Sequence, residues 1–200
     1  VGSGVVISDD GYVVTNYHVV TANRNAVADR INVVYGENTY PAQYVAGDED
    51  TDIAVLKVEG LTAPAAKLGN SEELSVGDWA LVVGNPLGEE FVNTLTVGVI
   101  SGLNRDMSSS NDRNATSMIQ TNAAINAGNS GGGLFNIRGE LVGITSMKLS
   151  NNGYYGMASI EGIGFAIPIN KVTEIADALI EHGKVVYPRI GVVVDQIVGG

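Results

Sequence analysis

The chain has 200 residues, 44% of them hydrophobic, and a formal charge of −11 from 22 acidic and 11 basic side chains. That is enough apolar material for a full core, while the acidic balance repels a phosphate backbone and speaks against nucleic acid as a partner. Zero cysteines exclude disulfides, a thiol nucleophile and thiolate metal sites. The two histidines form no ligand cluster with the carboxylates, so no metal and no other cofactor is expected.

No run approaches the roughly 18–20 apolar residues that a membrane-spanning helix needs. Val1-Gly2-Ser3-Gly4 opens the chain without methionine or a signal-peptide pattern, which predicts a trimmed or mature segment. Glycine, at 26 residues, is well above the roughly 7% typical of proteins and predicts a chain that turns often. Short apolar stretches bounded by turn residues predict strands over 4–7, 12–16, 31–35, 39–46, 53–58, 79–84, 93–101, 118–121, 133–136, 140–147 and 162–167. Asp9-Asp10-Gly11 and Asn136-Ile137-Arg138-Gly139 read as hairpin turns. So many strands with little helix between them predict an all-β sandwich or barrel.

One helix is predicted, over 171–182, where Val172, Ile175, Ala176, Leu179 and Ile180 follow a 3.6-residue stripe. Asn170 is placed to cap its start, Gly183 to take the left-handed position after its end, and His182 to meet the negative end of its dipole. Beyond it, 185–189 reads as a connector. Ile190-Gly191-Val192-Val193-Val194 reads as the first strand of a further domain.

Gly128-Asn129-Ser130-Gly131-Gly132 sets a hydroxyl in a backbone flexible enough to aim amide groups at a developing negative charge, the requirement of acyl transfer. A serine nucleophile needs a base that titrates near neutrality. His18 follows a predicted strand and suits that role, whereas His182 ends the helix and reads as structural. The base in turn needs a carboxylate to fix its tautomer. Asp52 alone of Asp48, Glu49, Asp50 and Asp52 abuts the apolar run Ile53-Ala54-Val55-Leu56, while the other three read as a solvated acidic turn. The order His18, Asp52, Ser130 is that of the chymotrypsin triad. An α/β-hydrolase would need a histidine after the serine and repeated βα units, which are missing.

Thr15-Asn16-Tyr17-His18-Val19-Val20, Thr51-Asp52-Ile53-Ala54-Val55-Leu56-Lys57, the run from Thr121 to Gly132 and Gly162-Ile163-Gly164-Phe165-Ala166-Ile167-Pro168 together resemble the HtrA/Deg family of serine proteases. Val83-Gly84-Asn85-Pro86-Leu87-Gly88 falls where that family has a similar segment, and the likeness covers nearly the whole chain. The resemblance implies an all-β, trypsin-like pair of six-stranded β-barrels with a C-terminal helix over residues 1–184. Residues 185–200 would then be a linker and the start of a PDZ domain. It implies an ATP-independent serine endopeptidase that cleaves unfolded or misfolded polypeptides outside the cytoplasm, in protein quality control. A homotrimer is implied for the full-length protein. Gram-positive bacterial members, held at the cell surface by an N-terminal membrane segment, are the most similar. The alternative is a peptide-binding or chaperone module whose triad rests in an inactive geometry.

Carried over residue by residue, the catalytic set is His18, Asp52 and Ser130, and the oxyanion loop is Gly128, Asn129 and Ser130. The substrate site maps to Ile125, Thr145, Ser146, Met147, Lys148 and Leu149, with an extended peptide pairing along 145–149. This slot has no carboxylate at its base, which predicts a small or medium aliphatic residue before the cut bond. Asn122 stands where the family usually has aspartate, and Ala127 and Gly133 where proline is common. Asn129 replaces the aspartate that pairs with a new N-terminus in digestive proteases, so activation by cleavage is not expected. Ordering of loops 104–116 and 149–159 is expected in its place.

Overall fold

Asp9-Asp10-Gly11 makes the first turn of the fold, with Gly11 at φ 89° and the Ile7 amide donating to Tyr12 O at 2.9 Å. The turn is seen in a computed structural model that describes residues 1–22, 26–86, 92–106, 117–146 and 162–187. It joins β1 (Val5–Val6) to β2 (Tyr12–Asn16), paired antiparallel with Val5 opposite Val14. β2 is buried from Val13 to Asn16 and runs straight into a single helical turn, α1 (Tyr17–Val20). A small ribbon of β3 (Thr21–Ala22) and β4 (Ala26–Val27) follows. Then come β5 (Ile31–Tyr35), β6 (Asn38–Asp48) and β7 (Ile53–Lys57).

The N-terminal half is a five-stranded sheet of order β1-β2-β7-β6-β5. Among the described residues it is an open half-barrel rather than the closed six-stranded barrel expected. Long β6 serves two neighbours in succession, pairing 38–42 with β5 and 43–48 with β7, and a register shift between Tyr44 and Ala46 bends it. Pro41 lies in the portion bordered by β5 alone, where its missing amide breaks no ladder.

The C-terminal half closes fully. β8 (Trp79–Gly84), β9 (Thr94–Asp106), β10 (Ser117–Thr121), β11 (Gly133–Phe135), β12 (Leu141–Thr145) and β13 (Gly164–Pro168) form a barrel of order β10-β13-β12-β11-β8-β9. Asn136 to Gly139 is the expected hairpin turn between β11 and β12, with Gly139 at φ 72°. β9 runs five residues past its predicted end, because its far portion pairs with β10 as far as Asp106 opposite Ser117.

A short 3₁₀ turn at Ser71–Glu73 and α2 (Ile169–His182) complete the described fold. Pro168 stands at the N-cap of α2, and Asn170 does not cap it. The Asn170 side chain instead accepts from the Ser71 amide at 3.1 Å and donates to Asn70 Oδ1 at 2.8 Å, tying the helix to the 3₁₀ turn. Gly183 takes the left-handed conformation expected, at φ 70°, and its amide closes on Leu179 O at 3.0 Å. The buried stripe of α2 packs into one core cluster with Val14, Ile53 and Val55 of the first half and Leu141, Ile144 and Ile167 of the second. The predicted strand from Ile190, the predicted mobile segment 149–159 and the predicted mobile segment 104–116 from 107 onward lie outside the described residues, whereas 104–106 belong to β9.

Candidate active site

His18 owes its position to Asp52. The Asp52 carbonyl accepts from the Tyr17 amide and from Asn16 Nδ2, both at 3.0 Å, turning the chain at the end of β2. The Asp52 carboxylate accepts from the His18 amide at 3.0 Å and meets ring Nδ1 at 2.8 Å through Oδ2. Asp52 is only 2% exposed, and the His18 side chain 32%, so the carboxylate is sealed beneath a ring that still reaches solvent. With Nδ1 engaged, Nε2 on the far edge of the ring is the nitrogen left to exchange a proton.

Asp52 itself sits at φ 59°, a backbone region that costs most residues energy but that Asp tolerates comparatively well. The preceding turn holds it there. Asp48 Oδ2 accepts from the Thr51 amide at 2.9 Å, from Thr51 Oγ1 at 2.6 Å and from Tyr187 Oη at 2.6 Å. Asp48 is therefore structural, not part of a solvated turn as its sequence context implied. Burial and the Asp48 carboxylate push the Tyr187 phenol well above its usual range.

Ser130 comes from the closed barrel and is tied to the first half through Ser3, whose amide donates to Ser130 O at 2.8 Å. Gly128 adopts φ 99° at the third position of a turn closed by the Asn129 amide on Asn126 O at 3.0 Å, a place that favours glycine. Gly131 follows at φ 84°, where a Cβ would overlap Ser3 O and Thr15 Oγ1. Ser130 is 5% exposed and Asn129 fully buried. The Asn129 amide is engaged within its turn, which leaves the amides of Gly128 and Ser130 as the oxyanion candidates.

Two of the residues assigned to substrate binding have other duties. Thr145 does not lie on an open edge. Its Oγ1 donates to Asn129 O at 2.6 Å, its amide donates to Gly132 O, and its carbonyl accepts from Gly131. Ser146 Oγ donates to Asp52 Oδ2 at 2.8 Å, and its amide is used by Phe165 O. Neighbouring residues of one strand end thus brace the nucleophile loop and the buried carboxylate. Pairing of a substrate with Thr145 is ruled out, since its amide and carbonyl are both taken. Ile125 packs against Gly164, where any side chain would collide with it. Met147, Lys148 and Leu149 lie outside the described residues.

His182 stands exposed at the end of α2, 3.7 Å from Glu181, and takes no part in the junction. A cavity of about 540 Å³ lined by Leu103, Met118, Asn170 and Lys171 holds none of the candidate residues. Among the described residues no three His, Asp or Glu side chains gather where a metal ion would be held.

A sequence profile described as trypsin-like peptidase domain matches residues 2–144. The chain belongs to the trypsin-like peptidases of the HtrA type. It is 42% identical over 197 residues to serine protease Do-like HtrB of Bacillus subtilis (strain 168), covering 95% of this chain and 41% of the relative. It is 43% identical over 197 residues to a probable periplasmic serine endoprotease, DegP-like, of Pseudomonas putida (strain GB-1), covering 98% and 38%. The HtrA-type peptidase therefore spans less than half the length of these curated relatives. Gram-positive relatives from Bacillus, Staphylococcus and Lactococcus stand among the matches at 40–42% identity, beside those of Pseudomonas. Among solved structures, HtrA-type protease AlgW with a decapeptide superposes at TM-score 0.78 and 39% identity, covering 91% of this chain and 52% of that one. The serine endoprotease from Yersinia pestis superposes at 0.74 and 35%, covering 96% and 62%. The domain is a trypsin-like peptidase domain.

Proposed function

We propose that this domain cleaves unfolded polypeptides through an acyl-enzyme formed on Ser130, with His18 as general base and Asp52 as its orienting carboxylate. The observation that carries the reading is the buried Asp52 carboxylate on His18 Nδ1 at 2.8 Å, the arrangement that orients a histidine base. Asp52 fixes the ring tautomer and stabilises the imidazolium that forms when His18 Nε2 takes the Ser130 proton. The amides of Gly128 and Ser130 receive the oxyanion of the tetrahedral intermediate, a contribution of the order of 10²–10³ in rate per donor. His18 then returns the proton to the leaving amine, and water repeats the sequence to free the enzyme. No cofactor enters these steps.

Polypeptide is the substrate class that fits, in line with the peptide complex of AlgW and the endoprotease names of the relatives. The wall formed by Ile125 suits a small or medium aliphatic residue before the cut bond. The periplasmic naming of the DegP-like relatives supports an extracytoplasmic role in protein quality control. For the full-length protein the HtrA likeness supports a homotrimer, a PDZ domain after residue 184 and a membrane anchor ahead of Val1.

The test is labelling with a serine-directed fluorophosphonate together with casein cleavage. The wild-type chain is expected to label at Ser130 and cut casein, and Ser130→Ala to do neither while melting within a few degrees of wild type. Unaltered cleavage by Ser130→Ala would overturn the assignment.

A further inference from the structure

Ser3 lies outside the triad and the oxyanion loop, yet each of its polar groups is spent on the junction. Its amide donates to Ser130 O at 2.8 Å. Its hydroxyl donates to Gly128 O at 2.7 Å and accepts from the Asn85 amide at 2.8 Å. Its carbonyl accepts from Thr15 Oγ1 at 2.7 Å. The residue is 6% exposed, so these bonds are shielded from competing water.

The two carbonyls it holds are those of the residue two before the nucleophile and of the nucleophile itself. A peptide unit is planar, so fixing its carbonyl fixes the direction of the amide on its other side. The 128–129 unit is held at both ends, by Ser3 on Gly128 O and by the Asn129 amide on Asn126 O. The 130–131 unit is likewise held, by Ser3 on Ser130 O and by the Gly131 amide on Thr145 O. Between them, the 129–130 unit is held through Asn129 O, which accepts from Thr145 Oγ1 and the Gly132 amide. The Asn129 side chain does not share this work. Its Oδ1 is buried without a hydrogen-bond partner among the described residues, and its Nδ2 reaches Ala124 O only at 3.5 Å.

We infer that Ser3 is a positioning residue for the oxyanion hole: its hydroxyl and amide clamp the 128–129 and 130–131 units that flank the 129–130 unit, so that the Ser130 amide carried by that middle unit and the Gly128 amide on the α-carbon of the clamped Gly128 face the reacting carbonyl. The inference rests on Ser130 being the nucleophile. Ser3 makes no contact with substrate in this role, and it does not touch His18 or Asp52. Loss of its hydroxyl frees the Gly128 carbonyl and leaves the 128–129 unit held only by the Asn129 amide on Asn126 O, while the proton path through His18 stays intact. The defect therefore belongs to the tetrahedral state and not to the bound peptide.

The experiment compares wild-type, Ser3→Ala and Ser3→Cys proteins in the full chain, using a chromogenic peptide substrate and a peptide boronic acid of the same sequence. The boronic acid binds as a tetrahedral adduct. The substituted serines are expected to lower kcat roughly ten- to hundredfold with KM unchanged, and to weaken the boronic acid by a similar factor. The pH dependence of the residual activity keeps its wild-type midpoint, because the base is untouched. Ser3→Cys retains the side-chain volume with a weak donor and is read in the same way should Ser3→Ala fail to fold. Wild-type kcat in either folded variant, or equal weakening of KM and boronic acid affinity, overturns the inference. A wild-type chain that a fluorophosphonate leaves unlabelled at Ser130 overturns the nucleophile assignment itself, a result that the Ser3 variants do not mimic.

Discussion

Asp52 shows how one residue reconciles two demands that pull apart. As a carboxylate it must be buried to act on His18 without dilution by water, and a buried anion is costly unless its oxygens are satisfied. The His18 amide, His18 Nδ1 and Ser146 Oγ supply those bonds. As a backbone unit it must turn the chain, and it does so at φ 59°. Asparagine tolerates the same backbone and keeps a similar shape, so Asp52→Asn is expected to fold normally while presenting His18 with the wrong partner. Its kcat should fall by a factor of the order of 10⁴, measured on a chromogenic peptide, with the circular dichroism spectrum unchanged. Retention of more than a tenth of wild-type kcat would show that Asp52 does not orient the base.

At the scale of elements, the helix end is the most local of the devices. Gly183 at φ 70° closes α2 on Leu179, and an added Cβ there is strained by backbone conformation alone, since no neighbour lies within reach of it. Gly183→Ala is expected to cost about 1 kcal/mol, or roughly 2–4 °C in Tm, with kcat unchanged, as scanning calorimetry and peptide kinetics would check. Such local chemistry is what a sequence displays well. The strands β2, β5 and β8 begin and end where alternation and turn residues put them. The two-residue strands β3 and β4 and the turn α1 carry too little pattern to be seen, and α1 exists because the Asp52 carbonyl bends the chain there. Asn170 looked like a cap by neighbourhood and went to a partner about a hundred residues away. The proposed triad was legible because three reactive residue types stood in a known order. Ser3 and the bracing roles of Thr145 and Ser146 were not, because a hydroxyl's partner is decided by tertiary contact that leaves no periodic trace.

For the whole molecule, the core crosses the junction rather than stopping at it, with α2 as the element that both halves share. The connector between the halves is fastened as well. Leu141 donates to Lys67 O at 2.8 Å, and Glu140 beside it pairs with Lys67 Nζ and Arg138 Nη2, each at 2.8 Å. Hydrogen bonds from Lys67, Asn136 and Arg138 hold the Glu140 carboxyl down to about 2, against an ordinary value of 4.5. A carboxyl whose pKa is lowered on folding stabilises above the unfolded value and loses that effect as pH falls through the folded one. Glu140→Gln is therefore expected to lower Tm at pH 7, and the gap to close between about pH 4.5 and 2, as calorimetry across that range would check. A gap that is constant with pH would remove the charge from the account. Added salt should narrow it too, since Lys67 and Arg138 are largely exposed. The Ser3 clamp has a temporal consequence. Ser3 and Gly128 are 125 residues apart, and Ser146 and Asp52 are 94 apart, so the bonds that shape the junction are among the most distant in sequence that the chain makes. Contacts of such separation close late, after the loop entropy between them has been overcome. A half-folded chain thus holds a serine, a histidine and an aspartate but no assembled junction, and the chain acquires the proposed cutting edge only once it is no longer itself an unfolded polypeptide.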